Sequence, residues 1–308
     1  MNMNVNLQGV WVAMITPNID DEDVLKKMLN KFKQTGIRGV FILGTTGEGM
    51  LLTPLERKLF AEKVLIFANE MDVDVIVHVS HDHFAEVLDL AEHAAKISAH
   101  AIAVAMPAHY RLDPHEITSY FIRLAKAIEI PIVIYDIPSV TGNMLSSDIL
   151  AQILSETNNI IGLKISHYDW KLWEYVLNLA VNGGINVLIG VDNLCLAALS
   201  SGATGIVSGP ANIFPEVYVE LYQAVQNRNI SRAIQCQQLI NKICQILHYG
   251  TPLAFIKEAL DIFGYSVGPV RPPLRPLTSD EREVLAQALI SFSHSLAALW
   301  GEKEVISR

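Results

Sequence analysis

The chain has 308 residues, 51% apolar and 18% charged, a balance that excludes a disordered chain and predicts a large buried core. Its net charge of −9, with no cluster of Lys and Arg, opposes binding to nucleic acid, which needs grouped cations against phosphate. The three cysteines, Cys195, Cys236 and Cys244, are odd in number and lack C-x-x-C spacing, so they read as reduced core residues of a cytoplasmic protein. No basic leader opens the chain, and no window approaches the roughly eighteen apolar residues of a membrane span, so the expectation is a soluble, intracellular protein without membrane contact.

Short β-rich apolar runs recur, each followed by an amphipathic stretch of helix length. They cover residues 10–16, 39–43, 75–79, 101–105, 132–135, 160–166, 187–189 and 205–208. In the helical pattern over 54–68, Leu55, Leu59, Val64 and Phe67 fall on one side. In that over 84–97, Val87, Leu88, Ala91, Ala94 and Ala95 face inward. Thr53-Pro54-Leu55-Glu56 supplies an N-cap, a proline at the first helical position and a glutamate at the third, and Asp113-Pro114-His115-Glu116 repeats the device. Eight strand–helix units with continuous apolar strands predict a parallel sheet covered on its outer face, and eight is the number that closes a (β/α)8 TIM barrel. The alternative, an open doubly wound sheet, lacks its GxGxxG turn after the first strand. After Arg228 only helical patterns follow, over 231–247, 253–263 and 279–299, with a Gly- and Pro-rich break at 264–273. The expected division is therefore a barrel over 1–228 and a C-terminal helical extension over 229–308, packed on it without a linker.

Active sites of such barrels lie at the carboxyl ends of the strands, and those ends are rich in chemistry here. Lys164 sits inside Ile160-Ile161-Gly162-Leu163-Lys164-Ile165-Ser166, where a solvated lysine is out of place. Burial favours the neutral amine, a nucleophile able to form a Schiff base with a carbonyl. Tyr135 closes the run 130–135 on the adjacent strand, and the run 39–43 ends in Gly44-Thr45-Thr46-Gly47-Glu48.

These residues, with Tyr135-Asp136-Ile137-Pro138, Gly162-Leu163-Lys164 and Val270-Arg271-Pro272-Pro273-Leu274, resemble the dihydrodipicolinate synthase / N-acetylneuraminate lyase family from Gly9 to about Leu277. The resemblance implies a barrel enzyme, usually tetrameric, that joins lysine to pyruvate in a Schiff base. It makes Lys164 that lysine and Tyr135 the proton shuttle, a phenol being able to donate in one step and accept in the next. Thr45 and Thr46 would hold the pyruvate carboxylate in a local anion nest, with Thr45 helping the relay. Tyr110 matches, more loosely because His109 stands beside it, a tyrosine that reaches across a subunit interface to the neighbouring site. Asp192, in Gly190-Val191-Asp192-Asn193, falls where sugar-acid lyases of the family bind hydroxyls, although a carboxylate there also reads as an N-cap. Ser166, Val207 and Ser208 complete the expected substrate-binding set.

Two departures matter. In Pro138-Ser139-Val140-Thr141-Gly142, the synthases of lysine biosynthesis resemble Pro-Ser-Arg-Thr-Gly, whose arginine grips the carboxylate of aspartate semialdehyde. Val140 cannot make that bidentate pair, worth on the order of 2–5 kcal/mol, unless Arg111 or another cation reaches the pocket. The second departure is His78, His81 and His83 around Asp82, where other members tend to have small, glycine-rich residues. The set could ligate zinc, but its spacing matches no helix or finger pattern, so polar histidines lining the pocket or an interface are the expectation.

The expected protein is thus a class I carbon–carbon lyase acting on pyruvate and a small aldehyde, most simply by reversible cleavage of a 2-keto-3-deoxy sugar acid. The imine itself is the electron sink, so no cofactor or metal is expected. The alternatives are 4-hydroxy-tetrahydrodipicolinate synthase with a displaced carboxylate clamp, a dehydratase or decarboxylating relative, and a non-catalytic binding protein. A homotetramer built as a dimer of dimers is the expected assembly.

Overall fold

The computed structural model describes residues 6–247 and 252–300, so the outermost ends of the two expected units lie outside the described residues. Eight strands, β1 (Gly9–Ala13), β2 (Gly39–Ile42), β3 (Asp74–His78), β4 (Ala101–Ala105), β5 (Ile132–Asp136), β6 (Ile160–Ile165), β7 (Asn186–Ile189) and β8 (Gly205–Ser208), pair in parallel as a closed barrel. Closure is by β8 against β1, with Trp11 opposite Val207. Among the described residues, helices α1 (Glu22–Thr35), α2 (Pro54–Glu70), α3 (Phe84–Lys96), α4 (Pro114–Ala127), α5 (Pro138–Thr141), α6 (Ser147–Glu156), α7 (Trp170–Val181), α8 (Cys195–Ser200) and α9 (Pro215–Gln226) wrap or bridge this barrel. The C-terminal helices α10 (Ile230–Leu247), α11 (Pro252–Ile262) and α12 (Ser279–Trp300) follow. Among the described residues no helix is long and apolar enough to cross a membrane.

Strand alternation sorts the side chains into two cores. Outward residues such as Val40, Ile42, Ile134, Leu163 and Ile165 join the helix layer, while Trp11, Phe41, Ile76, Val133, Tyr135 and Leu188 fill the barrel. β4 contributes only Ala101, Ala103 and Ala105 to the interior, which leaves room for the large rings of its neighbours. The outer core runs without a break into the C-terminal helices: Phe214, just before α9, packs on Phe292 of α12 at 4.9 Å between ring centroids.

Both anticipated capping boxes form, with Thr53 Oγ1 accepting from Glu56 N and Asp113 Oδ1 from Glu116 N. The inner face of α2 keeps Val64 and Phe67 of the sequence reading but not Leu55 and Leu59, which are 67% and 44% exposed. The buried stripe is Arg57, Phe60, Ala61, Val64, Leu65 and Ala68, a proper i, i+3, i+4 series whose first member is charged and so reads as polar. Likewise Leu90 of α3 is buried where Ala95 is exposed. The three cysteines are buried, and among the described residues they form no disulfide.

Candidate active site

β5 and β6 pair with Tyr135 directly opposite Lys164, both on inward positions near the carboxyl end. Lys164 is 4% exposed. Its Nζ lies 3.9 Å from the Tyr135 ring centroid and 4.2 Å from that of Phe41, within cation–π range, and no carboxylate pairs with it among the described residues. Gly190 at the end of β7 gives the lysine its space, because a Cβ there would stand 3.0 Å from Lys164 Cε. Phe41, His78 and Tyr135 form a mutual aromatic group, with centroids 5.7 to 6.0 Å apart. Phe41 and His78 as walls of this group were not singled out from sequence as neighbours of the lysine. Their alternation with Gly39 and Ile76 along β2 and β3 is the signal that assigns them inward.

The turn after β2 is tightly folded. Leu43 adopts φ +62°, Glu48 adopts φ +52°, and Gly49 must lack a side chain because a Cβ would overlap the Leu43 carbonyl. Thr16 Oγ1 donates to Gly47 O at 2.6 Å. Within the turn Thr45 is exposed and Thr46 half-buried against Gly209, and their N–H groups find no protein acceptor among the described residues. The turn is anchored from below by Glu48, whose fully buried carboxylate pairs with Lys257 of α11 and accepts from Arg271 N at 2.6 Å. Lys257 also donates to Pro269 O at 3.1 Å, and burial pulls its ammonium below the ordinary lysine range. The Val270-Arg271-Pro272-Pro273 segment is therefore a brace for the Thr45–Thr46 turn, a role that its sequence alone did not disclose.

A narrow cleft opens beside this group, with Thr45, His78, Ser80, Asp82, Tyr135 and Val140 among its lining residues. Among the described residues no lysine or arginine lines it, and Asp82 supplies a carboxylate. Val140, on α5, is 51% exposed at the mouth. Arg111 points its guanidinium at the Gly142 carbonyl, just past α5, without joining the lining.

The remaining sequence candidates separate. Ser166 donates its N–H to Asp136 O at 2.9 Å and its hydroxyl to Gly190 O at 3.4 Å, beside the lysine. Val207 packs in the barrel interior. Asp192 accepts from Ser208 Oγ at 2.6 Å and from Tyr218 OH at 2.9 Å, and its carbonyl accepts from Gln237 of α10. Tyr110 is 67% exposed, with its ring 5.0 Å from that of His109, and does not line the cleft of its own chain. Of the three histidines, His78 and His81 line the cleft, as expected, and His83 does not. His78 is buried inside the barrel, while His81 Nδ1 accepts the backbone N–H of His83 at 2.9 Å. Among the described residues no group of three His, Cys, Asp or Glu could hold a metal ion. Behind β5, Asp136 is fully buried and accepts from His167 Nε2 at 3.0 Å, and burial raises its carboxyl above the usual range.

The profile of the dihydrodipicolinate synthetase family matches residues 6–291. A 4-hydroxy-tetrahydrodipicolinate synthase of Methanothrix thermoacetophila is 32% identical over 93% of this chain and 97% of its own. An uncharacterised DapA-like lyase of Halobacterium salinarum is 35% identical over 91% and 92%. Among solved structures, YagE of E. coli, a prophage protein of the dihydrodipicolinic acid synthase family in complex with pyruvate, superposes with a TM-score of 0.87 at 25% identity, covering 93% of this chain and 98% of its own. With a closed eight-stranded barrel, a lysine facing a tyrosine on adjacent strands and a match along nearly its whole length, this chain belongs to the dihydrodipicolinate synthetase family and is a carbon–carbon lyase.

Proposed function

We propose that the chain is a Schiff-base, pyruvate-dependent lyase that reversibly cleaves a 2-keto-3-deoxy sugar acid or a similar uncharged-tailed 2-keto acid. The observation that carries the reading is Lys164 itself, buried, without a carboxylate partner among the described residues, and facing Tyr135. Lys164 Nζ attacks the keto carbon, water leaves, and a protonated imine forms. Tyr135 takes the proton of the C4 hydroxyl as its own passes to Thr45, the C3–C4 pair moves toward the imine to give an enamine, and the aldehyde departs. The enamine gains a proton at C3, and water releases pyruvate and the free amine. Thr45 and Thr46 hold the carboxylate through N–H and hydroxyl groups, and Thr45 relays protons. Ser166 lies close enough to share that task, whereas Asp192, Val207 and Ser208 would contribute only at the far side of the mouth.

The uncharged partner is supported by the cleft, where Val140 and the lining residues offer no Lys or Arg as counter-charge to a second carboxylate. The rival reading, 4-hydroxy-tetrahydrodipicolinate synthesis, is favoured by Arg111, whose guanidinium lies at Gly142 beside the cleft and could swing to a carboxylate, and by the name of the Methanothrix relative. Exposed Tyr110 fits the tyrosine that completes a neighbouring subunit's site in a homotetramer.

The test is borohydride trapping with pyruvate, then peptide mapping and product analysis. A reduced adduct on Lys164 with release of pyruvate from a sugar acid is expected. No adduct from folded protein would end the lyase mechanism in favour of a binding role. An adduct that turns over only aspartate semialdehyde, and loses that ability in Arg111→Ala, would replace the sugar-acid reading with the synthase.

A further inference from the structure

The left-handed backbone at Leu43 is unfavourable for a residue with a Cβ, and it immediately precedes the Thr45–Thr46 turn. Its carbonyl accepts a hydrogen bond from His78 Nδ1 at 3.0 Å. A carbonyl can only accept, so the proton of the imidazole resides on Nδ1. Nε2 is then bare and accepts the hydroxyl proton of Ser80 at 2.8 Å, while Ser80 Oγ accepts from Ala105 N at 2.7 Å. This chain of bonds joins the ends of β2, β3 and β4. The main chain on either side of it is fixed by Arg57 of α2, buried to 1% exposure, which donates to His78 O at 2.7 Å and to Ser80 O at 2.8 Å. The ring itself stands edge-on to Tyr135, 5.8 Å between centroids. Burial, with Arg57 and Lys164 nearby, pulls the imidazole down to about 3, so it remains neutral beside the lysine.

We propose that His78 is a positioning residue: as an Nδ1–H donor it holds the Leu43 carbonyl in its left-handed turn and so aims the N–H groups of Thr45 and Thr46 at the carboxylate of the 2-keto acid. The proposal rests on the Schiff-base reading of Lys164. A residue present for packing alone needs no donor aimed at a strained carbonyl, and an apolar ring here would leave that carbonyl without its donor and the Ser80 hydroxyl proton without its acceptor.

Two substitutions separate ring from donor. His78→Phe keeps a ring against Tyr135 but removes the donor, and His78→Asn keeps an amide N–H near the Nδ1 position but removes the ring. Each is measured by the pyruvate concentration that half-saturates borohydride trapping, with the trapping rate at saturation and thermal unfolding as companions. His78→Phe is expected to raise the half-saturating pyruvate by roughly tenfold, as for loss of a buried hydrogen bond, with a smaller change in the saturated rate. His78→Asn is expected to recover most of that loss. Equal damage from both variants, or none from His78→Phe, overturns the proposal while an adduct in the native protein leaves the Schiff-base reading standing. Should His78→Phe fail to fold, the imidazole ¹⁵N shifts of the native protein decide: a protonated Nδ1 and bare Nε2 across pH 5–8 support the donor role, and any other tautomer overturns it. No adduct in the native protein defeats the parent reading instead, and the proposal with it.

Discussion

Around the carboxyl ends of the strands, the β2–β6 side and the β7–β1 side spend their polar groups differently. Toward β2–β6 the side chains leave chemistry open: Lys164 Nζ stands over two aromatic faces at 3.9 and 4.2 Å, the N–H groups of Thr45 and Thr46 have no protein acceptor among the described residues, and a cleft lies alongside. Toward β7–β1 they are consumed. Asp192 takes the hydroxyls of Ser208 and Tyr218, and buried Asn212 donates to Ala13 O while accepting from Ile15 N. One rim thus combines a side held ready for a ligand with a side that ties the barrel to α9 and α10. Readiness depends on the ties, because unpaired polar groups survive burial only where surrounding structure holds them in place.

The contrast breaks first at Lys164. Lys164→Ala should abolish the trapped pyruvate adduct and lower turnover at least about 10³-fold, and Tyr135→Phe should cost roughly 10²–10⁴ in turnover while the adduct still forms. Both should unfold within a few degrees of the native protein. If either lost its structure and not merely its chemistry, the β2–β6 side would be holding the fold as well. The brace under the turn is the next largest effect. Lys257→Met leaves the Glu48 carboxylate buried without its cation, at a cost of about 3–5 kcal/mol in denaturant unfolding. At Asp192 the expectation is smaller, about 1–2 kcal/mol of stability for Asp192→Asn, with the KM for the 2-keto acid moving less than roughly threefold. A tenfold rise in KM at undiminished stability would instead move Asp192 to the reactive side, where the sequence pattern puts it.

The barrel was legible because periodicity and strand parity are local properties. A single lysine inside the continuous apolar run 160–165 is enough to mark Lys164 as buried, and the order of eight apolar runs is enough to count strands. What escaped was every partnership between distant charged residues. Arg57 hides in the inner stripe of α2 because charge normally signals solvent, and Glu48 finds Lys257 and Arg271 more than two hundred residues away. The histidines illustrate both sides. The expected pocket lining holds for His78 and His81, yet strand geometry sends the His78 ring into the barrel while His81 closes a turn with His83. Spacing in sequence cannot report that divergence, since it begins where β3 ends.

His78 also gives the contrast a pH signature with a definite sign. Its folded-state value of about 3 lies below the ordinary 6.5, because burial disfavours the charged ring and Arg57 and Lys164 repel a further proton. Between those values the unfolded chain binds a proton that the folded chain refuses. Acidification from about pH 6.5 toward 3 therefore removes stability, by about 1.4 kcal/mol for each pH unit from this one group. Asp136 works in the opposite direction: its raised carboxyl binds a proton in the folded state before it does in the unfolded chain, so acidification restores stability there. Asp136 is common to the native protein and to His78→Asn, so the difference between the two isolates the imidazole. Urea unfolding at pH 6.5 and at pH 5 should show the native protein losing about 2 kcal/mol more than the variant. Parallel losses would mean that His78 is protonated in the fold at pH 5, and a protonated ring cannot accept the Ser80 hydroxyl that links β3 to β4.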